Sequence, residues 1–441
     1  MITGLIVTEA HSIGGKRMAK RKRKLGRGVA MVGAGMSPFG IRPDVTNREL
    51  FAEAFLDMKD SVDKGLDPEE IEALYVGNCG SEMWESQSVI GALCASEIGL
   101  SPRPALKVED ACASSSVAVR EGIIGIASGL YDMVLAGGTE KMSVLSTDWT
   151  TMALACGSDT SCESSAGFTF PGLYASMATA HMEKYGTIHD DLLKVAIKNH
   201  SNGALNPKAH FPMTIKGVMD MRIAKAKEKG SPVPSWADEL EFLNDPRYNP
   251  VIAWPNTLFD CCPVTDGAAC ILLVAEEIAM NFTDTPIYII GTGQASGYNL
   301  HDRDTLTSIP AAQVAAQQAY EMADVGPQDI KIAEVHDCFT IAEVMAIADL
   351  GFFREGKAAA AAAGEGKTAR DGIKPINVSG GLKCKGHPVG ATGAAQVVEI
   401  FQQMRGEAGQ RQVTSMDVNL ALNHNIGAHG TTAVVQIFER R

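Results

Sequence analysis

Four segments in the first half of the chain have counterparts of the same form, in the same order, in the second half. The pairs are residues 29–37 with 287–296, 72–78 with 331–337, 106–110 with 376–379, and 131–137 with 416–422. The third segment of each half runs into small residues and a helix-like stretch, at 113–130 and 391–404. Four ordered pairs indicate that the chain is a duplication, so it must fold as two similar units.

Each half alternates short apolar strands with amphipathic helices, and this pattern predicts a layered α/β fold. We assign residues 26–145 plus 255–284 to the first half and residues 285–441 to the second. The stretch 146–254 has little strand pattern and is predicted to be an inserted loop domain that covers a site. Residues 357–372, rich in Lys, Ala and Gly, predict an exposed low-complexity connection.

Charge and composition exclude several classes of function. The 441 residues carry a formal net charge of −13, which argues against a general binder of nucleic acid or anionic membranes. The sequence holds no apolar run of about 18 residues, so we expect no membrane span. A basic run at 16–24 lies in an N-terminal extension, residues 1–25, that we expect to be a flexible, solvated tail; an electrostatic tether is the alternative.

The ten cysteines are spaced unlike a structural zinc site, because none forms a Cys-x-x-Cys pair. The N-terminus lacks the pattern of a secretory signal. We therefore expect free thiols in a reducing, cytoplasmic setting.

Cys112 follows a predicted strand, and the small residues after it open a predicted helix. A cysteine at a helix N-terminus is favoured as a thiolate, which makes Cys112 a candidate nucleophile. Its own N–H could help to hold an oxyanion. The alternative is a core residue, since free cysteine is among the most buried residue types.

His387 occupies the equivalent place in the second half, among Gly386, Gly390 and Gly393. An imidazole with so little bulk around it can act as a base or as an oxyanion donor, although a structural histidine is the alternative. If a pseudo-twofold axis relates the halves, the two strand-to-helix junctions face each other. Cys112 and His387 would then meet despite their separation in sequence.

Two further segments place reactive groups at strand ends. His336-Asp-Cys-Phe339 ends a predicted strand and offers a second imidazole and a second thiol, Cys338. The alternative there is a buried cysteine beside a helix-capping Asp337. Near the C-terminus, residues 422–431 form a glycine-containing loop whose N–H groups could hold an oxyanion, though a simple turn would look the same.

Taken together, these motifs resemble the thiolase superfamily from about residue 28 onward. They are Cys-Ala-Ser-Ser at 112–115, the segment 137–143, Asp-Gly-Ala at 266–268, Gly-His-Pro at 386–388 and the C-terminal loop. Most thiolases carry Asn-Glu-Ala-Phe at 336–339 and a second cysteine where Asn425 stands. The forms found here are similar to sterol-carrier-protein-type thiolases and to bacterial and archaeal acetyl-CoA acetyltransferases.

This resemblance implies a five-layer α/β/α/β/α fold of two duplicated halves with a loop domain over the active site. It implies a homodimer or a dimer of dimers. The implied reaction is CoA-dependent cleavage of a 3-ketoacyl-CoA, or the reverse Claisen condensation, through an acyl-Cys112 intermediate. Coenzyme A is then a substrate, and neither a separate cofactor nor a metal is implied.

The resemblance also implies roles for single residues. Cys338 would be the acid/base, and His387 or its neighbours would activate the CoA thiol. His387, with a water or donor at His336, would hold the enolate oxygen. The N–H groups of Cys112 and Gly427 would hold the acyl oxyanion.

Other residues would assist this site or alter it. Asn425 and His424 would support the catalytic groups. Cys262, where relatives usually have Ser, would lie near the pantetheine arm of CoA. His429 stands where Gly is common.

Two other functions remain open at this point. A ketoacyl synthase or a 3-hydroxy-3-methylglutaryl-CoA synthase shares the fold, but a ketoacyl synthase typically lacks a second catalytic cysteine such as Cys338. A non-catalytic acyl-CoA-binding subunit would need none of these groups. Some relatives work with a small zinc-ribbon/OB-fold partner protein, and the acyl group itself is left undetermined.

Overall fold

The structure, a computed structural model, describes residues 23–441, so residues 1–22 of the predicted N-terminal extension lie outside the described residues. The strands are β1 Val29–Met36, β2 Ala73–Gly77, β3 Ala105–Val108, β4 Met133–Lys141, β5 Val251–Ala253, β6 Asn256–Thr257, β7 Asp266–Ala275, β8 Ile287–Ser296, β9 Ile332–Val335, β10 Leu420–Gly427 and β11 Thr432–Arg440. The helices are α1 Asn47–Asp60, α2 Ser81–Trp84, α3 Ile90–Glu97, α4 Ser114–Ala127, α5 Thr147–Leu154, α6 Phe170–Tyr185, α7 His189–Gly203, α8 Ile215–Glu228, α9 Glu239–Leu243, α10 Pro310–Ala323, α11 Thr340–Asp349, α12 Lys357–Gly364, α13 Gly381–Cys384 and α14 Thr392–Arg405.

The two halves have the same strand order. In the first half the order is β3-β2-β4-β7-β1, with β2 parallel to β3 and β4 and with β7 antiparallel to both neighbours. In the second half the order β9-β10-β11-β8 repeats the last four positions, and a parallel bridge from Ala333 to Ile376 marks the place of the missing edge strand. The predicted duplication is therefore visible in the topology.

Strands β1 and β8 join the halves into one nine-stranded sheet within residues 23–441. The junction consists of two antiparallel residue pairs, Ala30 with Tyr288 and Met31 with Ile287. In each half, successive side chains along a strand point to opposite faces of the sheet, so its apolar residues are buried on both faces.

The alternation builds five layers. On one face of the first half, Ala30 and Val32 pack against α1 and α3. On the other face, Val29 and Met31 pack in a core that also contains apolar residues of α4, α14 and the second half of the sheet. The far face of the second half packs against α10 and α11. The predicted α/β/α/β/α fold is confirmed, with α4 and α14 as its central layer.

Helices and a two-stranded ribbon, β5–β6, fill the chain between β4 and β7. The assignment of 146–254 as a separate loop domain stays a prediction. The prediction for residues 357–372 is wrong at its start, because 357–364 form α12 and bury Ala359, Ala360 and Ala362. A run of alanines has the highest helix propensity and packs closely, which outweighs its low complexity. Among the described helices, none has the length and apolar character of a membrane span.

Candidate active site

Cys112 lies where β3 gives way to α4. The chain turns sharply there, with Ala111 in the left-handed region at φ 49°, and a 3-10 turn over Ala111–Ala113 leads into the helix. A left-handed residue without the freedom of glycine is strained, and such strain is typical of functional turns. The predicted position of Cys112 at a helix N-terminus is thus observed.

The expected low pKa of Cys112 is not observed. Burial raises the pKa of the Cys112 thiol above its usual value, while the backbone N–H groups of Ala428 and Cys112 lower it only in part. Only 8% of the residue is exposed, so the cost of placing a charge there outweighs the helix terminus. Burial therefore favours the neutral thiol at Cys112 over the thiolate.

His387 is oriented by the helix that follows it. Its Nδ1 lies 2.6 Å from Thr392 Oγ1, and that hydroxyl donates to the carbonyl oxygen of Pro388 at 2.9 Å. Because the Thr392 hydroxyl donates its proton to Pro388, it can only accept from His387. His387 Nδ1 therefore donates, and His387 Nε2 keeps a free lone pair. Burial lowers the pKa of His387 to about 3, which keeps the ring neutral.

His336 has the opposite arrangement. Asn425 Nδ2 lies 3.0 Å from His336 Nδ1, and with the amide in this orientation the proton of the ring is on Nε2. This Nε2 is buried without a hydrogen-bond partner among the described residues. Burial, with the neighbouring rings of His387 and His424, holds the pKa of His336 well below its usual range. His336 is thus a neutral donor with an unused N–H.

Cys112, His336 and His387 lie close together. The Cys112 Sγ and one ring nitrogen from each of His336 and His387 lie within 4.8 Å of one another. The two rings are 5.2 Å apart and meet edge to face at 81°. The sequence prediction that the two strand-to-helix junctions face each other describes this arrangement correctly.

The same spacing would also suit a cation that prefers sulfur and nitrogen ligands. With the tautomer above, however, His336 presents a proton and not a lone pair. A second group of possible ligands, Asp159, Cys162 and His301, lies nearer the surface.

Cys338 lies beside the phenol of Tyr174 at the start of α11. Burial raises the pKa of the Cys338 thiol, and the Tyr174 hydroxyl lowers it in part through a hydrogen bond. Tyr174 also stacks on Phe339, with ring centroids 4.6 Å apart, and its hydroxyl lies 3.2 Å from the carbonyl oxygen of Ala428, the other acceptor for its single proton. Tyr174 therefore links the second thiol to the C-terminal loop.

A cavity of about 460 Å³ opens onto Cys112, Cys338 and His387. Much of its remaining wall is apolar, with Met142, Leu154, Phe170, Phe211, Leu258 and Phe339. An apolar cavity with a few convergent polar groups is the usual form of a small-molecule site. Residues on α5 and α6, between β4 and β7, supply part of this wall.

The remaining predicted residues lie around this cavity. Cys262 lines it, and its N–H donates to the carbonyl oxygen of Cys338 at 3.0 Å. His336, His424 and Gly427 lie outside the lining, whereas Ala428 lines it. A Cβ on Gly427 would come 2.5 Å from the carbonyl oxygen of Asp110, so glycine is required there for β10 to approach the Cys112 turn.

Sequence reasoning missed two residues that orient the site, Tyr174 and Thr392. Thr392 lies between Gly390 and Gly393, five residues after His387. Its place on the turn that follows the histidine could have drawn attention to it. Tyr174 carried no signal beyond its place in a helix-like stretch.

Known proteins resemble the chain over nearly its whole length. The family model described as "Thiolase, N-terminal domain" matches residues 29–277, and the one described as "Thiolase C-terminal domain-like" matches residues 293–440. The chain is 41% identical over 417 residues to the acetyl-CoA acetyltransferase of Methanothermobacter thermautotrophicus, covering 94% of this chain and 100% of that protein. It is 30% identical over 424 residues to sterol carrier protein 2 of Bos taurus, covering 92% and 71% respectively.

A solved structure shares the fold. The "Ltp2-ChsH2(DUF35) aldolase" superposes with a TM-score of 0.73 at 22% identity, covering 94% of this chain and 98% of that chain.

Proposed function

We propose, from the premise that this chain belongs to the thiolase family and is an acyltransferase, that Cys112 carries the acyl group between coenzyme A thioesters. The observation that carries this proposal is the pair of opposite tautomers beside Cys112. His387 offers a lone pair to the thiol, and His336 offers an N–H to a developing oxyanion. A buried thiol with a high pKa requires such a base to become a nucleophile.

The first half-reaction follows from these positions. Cys112 passes its proton to His387 Nε2 as Sγ attacks the keto carbon of a 3-ketoacyl-CoA. The C–C bond breaks, and its electron pair goes to the departing thioester as an enolate, whose oxygen accepts the His336 Nε2–H. Cys338, a neutral thiol, protonates the carbanion, and the shortened acyl group remains on Cys112.

The second half-reaction restores every proton. The Cys338 thiolate takes the proton of an incoming CoA thiol, which attacks the acyl-Cys112 carbonyl. Cys112 leaves as a thiolate and recovers its proton from His387. Run in reverse, Cys338 removes a proton from the methyl group of an acyl-CoA, and the site performs a Claisen condensation.

Acetyl is the acyl group that we propose first. The similar archaeal protein is described as an acetyl-CoA acetyltransferase, and the identity of 41% extends along 94% of this chain. Acetoacetyl-CoA is therefore the first substrate to test, followed by longer, branched and aryl-bearing 3-ketoacyl-CoA esters.

We also propose that an accessory protein and a second copy of the chain complete the enzyme. The name of the structural neighbour includes DUF35, which supports the first part. Co-purification of the native protein from its source, followed by native mass spectrometry, tests the association with an accessory protein and the association with a second copy.

We propose a reducing, cytoplasmic setting for the protein. All ten cysteines are free thiols, which supports it.

Intact-protein mass spectrometry with acetyl-CoA tests the nucleophile. We expect the wild-type protein to gain an acetyl group and Cys112→Ala to gain none. Cys338→Ala should still be acetylated but should not condense two acetyl-CoA molecules. Acetylation of Cys112→Ala to the wild-type extent would refute the assignment.

Loss of the acetoacetyl-CoA–Mg²⁺ enolate absorbance on addition of CoA separates this function from its rivals. A decarboxylating synthase or a non-catalytic subunit would not cleave any 3-ketoacyl-CoA.

A further inference from the structure

The turn that joins β10 to β11 contains a strained residue beside the proposed nucleophile. Ala428 has φ 54°, in the left-handed region that only glycine adopts freely. Ala428 and Cys112 line the same cavity, and the Ala428 backbone N–H is one of the groups that lower the pKa of the Cys112 thiol in part. A strained residue of this kind persists only where its surroundings fix it, so the contacts that hold this turn matter.

His429, the next residue, supplies those contacts. It is fully buried, and its Nε2 lies 3.0 Å from Glu163 Oε2. On its other side, Arg303 Nη2 lies 3.0 Å from His429 Nδ1 and donates to the His429 carbonyl oxygen at 2.8 Å. Contacts to both the side chain and the backbone of His429 therefore fix the position of the turn.

The donors and acceptors fix the state of this imidazole. A guanidinium can only donate, so His429 Nδ1 must accept, and the ring proton on Nε2 goes to the Glu163 carboxylate. Burial and Arg303 lower the pKa of His429, which agrees with a neutral ring.

Glu163 is itself held by the backbone. The N–H of Asp159 donates to its Oε2 at 3.0 Å, and the N–H of Leu300 donates to its Oε1 at 2.6 Å. Glu163 thus connects the segment between α5 and α6 to the chain that follows β8. None of Glu163, Arg303 and His429 lines the cavity, so each can affect the reaction only through the turn.

We propose that Glu163, Arg303 and His429 are positioning residues that hold the Ala428 N–H against Cys112, where it is the second donor to the acyl oxyanion. This inference rests on the proposed function for its catalytic meaning. It also gives a reason for a histidine at position 429, where the family commonly has glycine. A glycine would leave the turn without its anchor to Glu163 and without the Nδ1 contact to Arg303.

The rate of Cys112 alkylation at a fixed pH tests the positioning, because iodoacetamide reacts with the thiolate. Peptide mapping after labelling separates Cys112 from Cys338 and Cys262. In Glu163→Ala and in His429→Gly we expect the rate for Cys112 to fall about tenfold, because the thiolate loses the support of a fixed amide. Glu163→Gln, which keeps one acceptor oxygen, should lower the rate less.

Asp63→Asn is the matched control, since it breaks a surface-to-core ion pair with Arg405 far from this turn. It should lower stability without changing the rate of Cys112 alkylation. The rate of Cys112 acetylation by acetyl-CoA should fall at least about tenfold in Glu163→Ala, with KM within about twofold of wild type, since an oxyanion donor acts mainly on kcat.

The double variant with Glu163→Ala and His429→Gly should lose no more than either single variant, because the residues act as a unit. A folded Glu163→Ala protein with the wild-type alkylation rate would overturn the proposal; if that variant does not fold, a folded His429→Gly protein with the wild-type rate would do so. The alkylation result does not need CoA chemistry, so a protein that failed to acetylate would refute the proposed function and still decide this inference.

Discussion

At the scale of single residues, the second nitrogen of each active-site imidazole decides what the first can do. Thr392 accepts from His387 Nδ1, and Asn425 donates to His336 Nδ1. The His387 ring therefore keeps a free lone pair, and the His336 ring keeps an unused N–H. Two chemically identical side chains obtain different roles from one hydroxyl and one amide.

Thr392→Val tests the orientation of His387. Without the hydroxyl, Nδ1 has no acceptor, and the tautomer with a lone pair on Nε2 loses its advantage. We expect kcat/KM for acetoacetyl-CoA cleavage to fall about 10²-fold, within the range that general-base catalysis contributes. Thr392→Ser keeps the hydroxyl and should retain most activity. Full activity of the valine variant would show that Thr392 does not set the tautomer.

The pH profile of kcat/KM gives a second test. The base must be neutral, and burial lowers the pKa of His387 to about 3, so it is protonated only near or below that pH. We therefore expect no fall of kcat/KM between pH 8 and pH 5 due to this residue. A decline with a midpoint of 6 to 7, the range of an ordinary histidine, would contradict the neutral resting state.

At the scale of elements, the carboxylate of Glu140 on β4 joins the two halves at the active site. Its Oε1 accepts from Asn78 Nδ2, the Gly80 N–H and the Trp84 indole, at 3.1, 3.1 and 2.6 Å. Its Oε2 accepts from the N–H groups of Cys79 and Gly390, at 2.7 and 3.0 Å. Gly390 follows His387 in the other half, so one buried side chain links the loops that carry both halves of the site.

Glu140→Gln should destabilise this junction. Glutamine has one acceptor oxygen, and its NH₂ group would face N–H donors, so at least one buried group loses its partner. We expect the free energy of unfolding to fall by about 2–4 kcal/mol, since each unsatisfied buried group costs about 1–3 kcal/mol. Denaturant unfolding measures it, and Glu277→Gln, in an exposed ion pair with Arg27, is the control. Equal stability of the two variants would contradict this role.

At the scale of the whole molecule, β3 is an edge strand of the described sheet and presents unpaired backbone groups. Leu106, in the middle of β3, is 54% exposed. An open edge with an exposed apolar side chain is a surface that a second strand can cover. The second copy of the chain proposed above would pair its own β3 with this edge.

Leu106→Asp should prevent this association. A charge on the edge strand opposes pairing with an identical strand that carries the same charge. We expect light scattering after size exclusion to give a dimer mass for the wild type and a monomer mass for the variant. Ile373→Asp changes a 71% exposed residue in the other half and should leave the mass unchanged. A dimeric Leu106→Asp protein would place the interface elsewhere.

Residue patterns were enough to predict the repeated strand order, the α/β layers, the family resemblance and the reactive groups at strand ends. Such patterns are local along the chain. The other features depend on contacts between segments that are distant in sequence. The tertiary structure buried Cys112 and raised its pKa where the helix terminus alone predicted a lower one, because desolvation is the sum of every element packed around a group. It oriented the two imidazoles through Thr392 and Asn425, and it placed Ala428, the neighbour of Gly427, in the wall of the cavity that Cys112 also lines.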